Sequence, residues 1–101
     1  EKNCADNDGE TPLHTAARHG HPEVAQVLCE AGTEKNQADN DGRTPLHTAA
    51  DQGHLEVVRY LCDVGAEKNL PDIDGETPLH VAAQPGHHAV AWILCEAGAA
   101  K

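Results

Sequence analysis

The sequence contains no phenylalanine and no methionine, and its only large aromatics are Tyr60 and Trp92. A core built without them has to be made of Ala, Val, Leu and Cys, so it is thin and closely packed. That composition suits small helices stacked in a row better than a globule around large aromatic rings. Positive charge is scarce too: 7 Lys and Arg stand against 17 Asp and Glu, a formal net charge of −10. Such a surface repels a phosphate backbone and carries no basic stripe, which argues against nucleic acid and against an anionic membrane face as partners. No apolar run approaches the roughly 18–20 residues of a membrane span, and no secretory signal is visible. The chain begins with Glu1 rather than Met, as expected of an excised or engineered module. Its 101 residues are one domain's worth of chain.

Cysteine is present but badly spaced for disulfides. Cys29, Cys62 and Cys95 fall 33 residues apart. Equivalent atoms of stacked helices lie roughly 8–10 Å apart, whereas a disulfide needs Cα atoms within about 7 Å. These three are expected to be buried small hydrophobes, and Cys4, outside the pattern, an unpaired surface thiol. Reduced thiols fit an intracellular setting.

The interval of 33 governs the whole chain. "DGETPLHTAARHGH" at 8–21 returns as "DGRTPLHTAADQGH" at 41–54 and "DGETPLHVAAQPGH" at 74–87. Residues 1–33 match 34–66 at 22 positions, and 34–66 match 67–99 at 19, without a gap. In the middle copy, 39–42 is a turn rich in Asn, Asp and Gly. Thr44 is placed to cap a first helix, and Pro45 occupies its first position, where a missing N–H costs nothing. Leu46, Ala49 and Ala50 form an apolar face of mostly small residues, and Gly53 ends the helix. A second helix begins near His54 and carries Val57, Val58, Leu61 and Cys62 as a helical stripe, closed by Gly65. Each helix pair exposes an apolar face that only a neighbour can bury. The sequence repeats because the contact repeats.

The pattern Asp-x-x-Gly-x-Thr-Pro-Leu-His-x-Ala-Ala-x-x-Gly-His, with Val and Leu following at helical spacing and Ala-Gly closing, resembles the ankyrin repeat. The resemblance covers essentially the whole chain in three copies, at about 6–38, 39–71 and 72–101, the last short of its closing loop. Departures are modest: "TEKN", "AEKN" and "LCEAG" differ from commoner spellings, and Gln84-Pro85 is expected to shorten the first helix of the third copy by a residue or so. The resemblance implies an all-α repeat solenoid, a stack of helix-turn-helix units with projecting β-turn loops, forming a single domain. It implies a non-catalytic scaffold without a cofactor, gripping a protein partner by its loop tips and the concave face of its inner helices. It also implies that His14, His47 and His80 hydrogen-bond the backbone of neighbouring loops.

Eight histidines invite a catalytic or metal reading. Six of them repeat at two fixed places, which points to structural work, and those of the Gly-His step are expected to help start the second helix. His87 and His88 are adjacent, and neighbours on a helix point about 100° apart, a poor geometry for joint coordination. There is no Ser or Arg-rich cluster, no phosphate-cradling glycine loop and no Cys-x-x-Cys. The turn carboxylates lack the alternating ligand run of a calcium site. Neither a metal, nor a small-molecule substrate, nor an active site is expected.

Specificity should then reside where copies differ on exposed surface. At the loop tips these are Asp41 and Arg43, then Ile73, Asp74 and Glu76. On the first helices they are Arg18 and His19, Asp51 and Gln52, then Val81 and Pro85. On the last helix His88 and Trp92 stand where other copies carry Leu55 or Pro22, and Arg59 or Gln26. The third copy turns apolar at Ile73, Val81, Pro85 and Trp92, and exposed large apolar groups mark interaction sites. The competing expectation is a purely structural fragment without a partner, in which Trp92 folds over an uncovered end as a cap.

Overall fold

The computed structural model describes residues 8–98, so the expectation for Cys4 lies outside the described residues. Six helices follow one another: α1 (Pro12–His19), α2 (Pro22–Glu30), α3 (Pro45–Gln52), α4 (Leu55–Asp63), α5 (Pro78–Ala83) and α6 (His88–Glu96). Among the described residues there is no strand.

The first helix of each pair starts the same way. Thr11, Thr44 and Thr77 are N-caps in extended backbone, and each accepts a hydrogen bond from the backbone N–H of the histidine three places on. That histidine's ring accepts the cap residue's own N–H in return, a capping box closed by His instead of the usual Glu or Gln. Gly20 and Gly53, both left-handed, end α1 and α3. Pro85 has no N–H to continue α5, which runs 6 residues where α1 runs 8. The loss is two residues, slightly more than the sequence suggested.

The helices form two layers. α3 packs between α1 and α5, and α4 between α2 and α6, while each pair α1·α2, α3·α4 and α5·α6 packs within itself. The stack measures 35 × 26 × 20 Å. Its core is the row Leu13, Leu46, Val57, Val58, Leu61, Val81, Val90 and Leu94, with Ala16, Ala17, Ala25, Ala49, Ala50 and Ala82 allowing close approach. Burying a Val or Leu side chain contributes about 1.5–3 kcal/mol. No helix of the described residues is long and apolar enough to cross a membrane.

Two expectations about burial require correction. Cys29 and Cys62 are only partly buried and Cys95 is exposed; all three are free thiols. Burial raises the pKa of Cys29 and Cys62 above the usual thiol value, so neither is an activated nucleophile. Val81 was expected on the open surface but is 1% exposed. Its counterpart Thr48 is also buried whereas Thr15, in the first unit, is exposed. The position faces the preceding unit, so only the unit without a described predecessor leaves it open.

Candidate functional site

The second and third turns are each organised around one aspartate. The Asp39 carboxylate accepts the backbone N–H groups of Asp41 and Arg43, both at 2.9 Å, and Asp72 does the same for Asp74 and Glu76 at the same distance. One backbone bond joins each turn to the last: Asn40 N–H donates to the Asp8 carbonyl at 2.9 Å, and Ile73 N–H to that of Asp41 at 3.0 Å. Position 73 needs no special backbone, because positive φ occurs only at glycines among the described residues. Isoleucine therefore fits there, and its side chain stands 70% exposed.

From the turn, a side chain pairs with the residue eight places later, at or just past the end of the unit's first helix. Glu10 pairs with Arg18, Arg43 with Asp51 at 3.9 Å, and Glu76 accepts from Gln84 at 2.7 Å. Arg43 also lies 3.2 Å from Asp72 and 3.8 Å from Glu76, bridging the second and third turns. Burial alone would raise the Asp72 carboxyl, but the N–H groups of Glu76 and Asp74 and the Arg43 guanidinium outweigh it and hold the pKa below the usual carboxylate value. Asp72 was missed at the sequence level. The charge swap from Glu10/Arg18 to Arg43/Asp51, at the same two places in successive copies, was the available clue to this loop-to-helix linkage.

Arg18, Arg43, Asp51 and Glu76 are thus engaged with one another or with neighbours and only partly exposed. Of the other residues singled out from the sequence in this layer, Asp41, Ile73 and Asp74 are exposed at the tips and His19, Gln52 and Pro85 at the helix ends. Trp92, 66% exposed, and His88 lie on α6, in the outer layer. The counterparts of Trp92 are the outer-helix residues Gln26 and Arg59, which line an open groove of about 440 Å³ between α2 and α4 with Pro22, Glu23, Glu56, Tyr60 and Asp63. The residues expected to form one surface are therefore divided between two layers.

The histidines hold units together. His14 and His47 are fully buried; each ring accepts its cap threonine's N–H at Nδ1 and donates from Nε2 to a carbonyl of the next turn, Arg43 or Glu76, at 2.8 Å. His80 keeps the intraloop bond but is exposed and meets no such carbonyl among the described residues. The Gly-His step works differently from expectation. His54 and His87 occupy N-cap positions without a side-chain cap bond. Their Nε2 groups donate backwards instead, to the Arg18 carbonyl at 2.8 Å and the Asp51 carbonyl at 3.0 Å. No group of three or more His, Cys, Asp or Glu among the described residues could hold a metal ion.

A helix pair led by a Thr-Pro-Leu-His capping box, repeated with two interlocking histidines per junction, one reaching forward and one back, is a family signature. The family model for ankyrin repeats, in three copies, matches residues 1–72 and again 34–101. The chain belongs to the ankyrin-repeat family. Ankyrin repeats generally mediate protein–protein interaction, and the family is typically non-catalytic. No curated protein matches the chain. In ankyrin terms, the turns are the projecting fingers and α1, α3 and α5 the inner helices beneath them.

Proposed function

We propose that this ankyrin-repeat domain binds another protein through its loop tips and inner-helix ends, with Ile73 as an apolar anchor, Asp41 and Asp74 as an acidic rim, and Trp92 as a separate contact on the outer layer. The observation that carries the reading is Ile73: a large apolar side chain 70% exposed at the tip of a turn whose backbone is fixed at both neighbours. A rigid anchor loses little conformational entropy on binding. Exposed acids beside it favour a partner surface with an apolar pocket rimmed by Lys or Arg, and disfavour phosphate backbones and anionic membranes.

Titration of candidate partners against the wild-type chain and the Ile73→Asp and Trp92→Ala variants tests this. An anchor contributes about 2 kcal/mol or more, so each substitution should weaken binding by roughly thirtyfold or more, with the melting temperature unchanged. Rising salt should slow association with a basic partner. Unchanged affinity together with a lowered melting temperature for Trp92→Ala would favour the second reading, a structural fragment in which Trp92 serves stability. Its 66% exposure weighs against that cap.

A further inference from the structure

The two ends of the stack differ from its interior in a systematic way. At the first unit, Val24 is 48% and Val27 64% exposed, while Val57 and Val90, the counterparts of Val24, are 0% and 2% exposed. Thr15 and His21 are exposed as well. At the last unit the opposite face is open: His80 and Ala83 are exposed, whereas His14, His47, Ala17 and Ala50 are all 0% exposed. The buried Leu13 and Leu46 give way to a partly buried Leu79.

These open faces are the two halves of a contact that the chain already makes twice. At the internal junctions, the preceding unit supplies a carbonyl from its inner helix, Arg18 or Asp51, to the histidine of the next unit's outer helix. The third unit carries the Gln84 carbonyl at that place, and the first unit carries His21. The following unit supplies a turn carbonyl, Arg43 or Glu76, to the buried ring of His14 or His47. The first unit carries the Glu10 carbonyl at that place, and the third unit carries His80. Side-chain size matches too, since Val24 is the same residue as Val57 and Val90, and Ala83 the same as Ala17 and Ala50.

We propose that a second copy of this chain stacks on the end of the first, the Leu79–Ala83 face of one against the Val24–Val27 face of the other, in the register of the internal junctions. The contact joins unlike faces, so it does not close on itself: it leaves one open face of each kind and grows as a linear array. Both copies are acidic, and their mutual repulsion opposes the stack, so salt strengthens it by screening. A charge-complementary partner at the loop tips responds to salt in the opposite sense.

Sedimentation of the chain under reducing conditions, over a range of concentrations, reads this directly. Average mass should climb with concentration without settling at two copies, and climb further at high salt. Ala83→Arg and Val24→Glu each block one face at an exposed position, so each variant alone should be monomeric. Mixed, they retain one good face of each kind and should form particles of two chains and no larger. Ile73→Asp should behave as wild type. A wild-type chain that stays monomeric to millimolar concentration overturns the proposal and leaves the ends to other occupants, such as further repeats. A two-copy plateau insensitive to both end variants, or association abolished by Ile73→Asp, overturns it in favour of pairing through another surface.

Discussion

His47 carries two bonds that only one protonation state permits. Nδ1 accepts the Thr44 N–H at 3.1 Å, so the ring's single proton sits on Nε2, where it donates to the Glu76 carbonyl at 2.8 Å. A second proton would set N–H against N–H at Nδ1 and place a charge in the core. Burial accordingly pushes the folded-state pKa of His47 below its ordinary value of 6.5, the attraction of the Glu76 carbonyl and of Asp72 notwithstanding. The sign follows: below pH 6.5 the unfolded chain takes up a proton that the folded chain refuses. Stability from this residue is present above that pH and is lost as pH falls from there through the depressed folded value. Asp72, lowered from 3.8, adds a separate loss at and below that value. Urea unfolding should therefore show stability declining as the solution is acidified from neutral towards pH 5, and an NMR titration should place the His47 midpoint below 6.5. A midpoint at or above that value would contradict the assigned bonds.

At the scale of elements, the turns join by close backbone approach, at Gly42 as at Gly9. The φ of Gly42 is +75°, and a Cβ there would lie 2.9 Å from the backbone nitrogen of Ile73. Gly75 has nearly the same backbone, φ +80°, but a Cβ would meet nothing within 4 Å. Gly75→Ala should thus cost only the left-handed backbone penalty, about 1–2 kcal/mol, while Gly42→Ala adds a displacement of the neighbouring turn and should cost measurably more in thermal unfolding. Equal costs would mean that the turns are not in register. Much of this architecture was legible beforehand: the 33-residue interval, the threonine caps, the N1 prolines and the glycine stops all name local geometry that short sequence determines. Burial was not legible to the same degree. A helix in this stack has one side towards its partner helix, one towards the preceding unit and one towards the following unit, and sequence alone does not say which residue faces which. Val81 was misplaced for that reason, as was Cys95, whose position is exposed in the last unit. The backward reach of His54 and His87 was hidden similarly, since the carbonyls they find belong to residues 36 places earlier.

For the whole molecule, the main helix contacts among the described residues run within a unit or between adjacent units, so cohesion between units is a sum of junctions in series. The middle unit takes part in both junctions and each end unit in one. The same substitution should then have unequal costs along the chain. Leu46, 0% exposed in α3, is enclosed by units on both sides, and Leu46→Ala should cost about 3–4 kcal/mol through lost burial and the cavity left behind. Leu79 is its counterpart in α5 but only partly buried, and Leu79→Ala should cost about 1–2 kcal/mol, because less surface is lost and water enters the gap. Total stability of small domains is only about 5–15 kcal/mol, so the first change is a large fraction of it and the second a modest one. Hydrogen exchange should show the same gradient, with α3 and α4 protected longest and α1, α2, α5 and α6 opening at lower free energy. Both measurements belong at concentrations low enough to keep copies apart, since end-to-end stacking would cover Leu79 and bring its cost towards that of Leu46. If the two substitutions cost the same in the isolated chain, the molecule is held by one shared core rather than by successive junctions, and the equivalence of end faces and internal contacts falls with it.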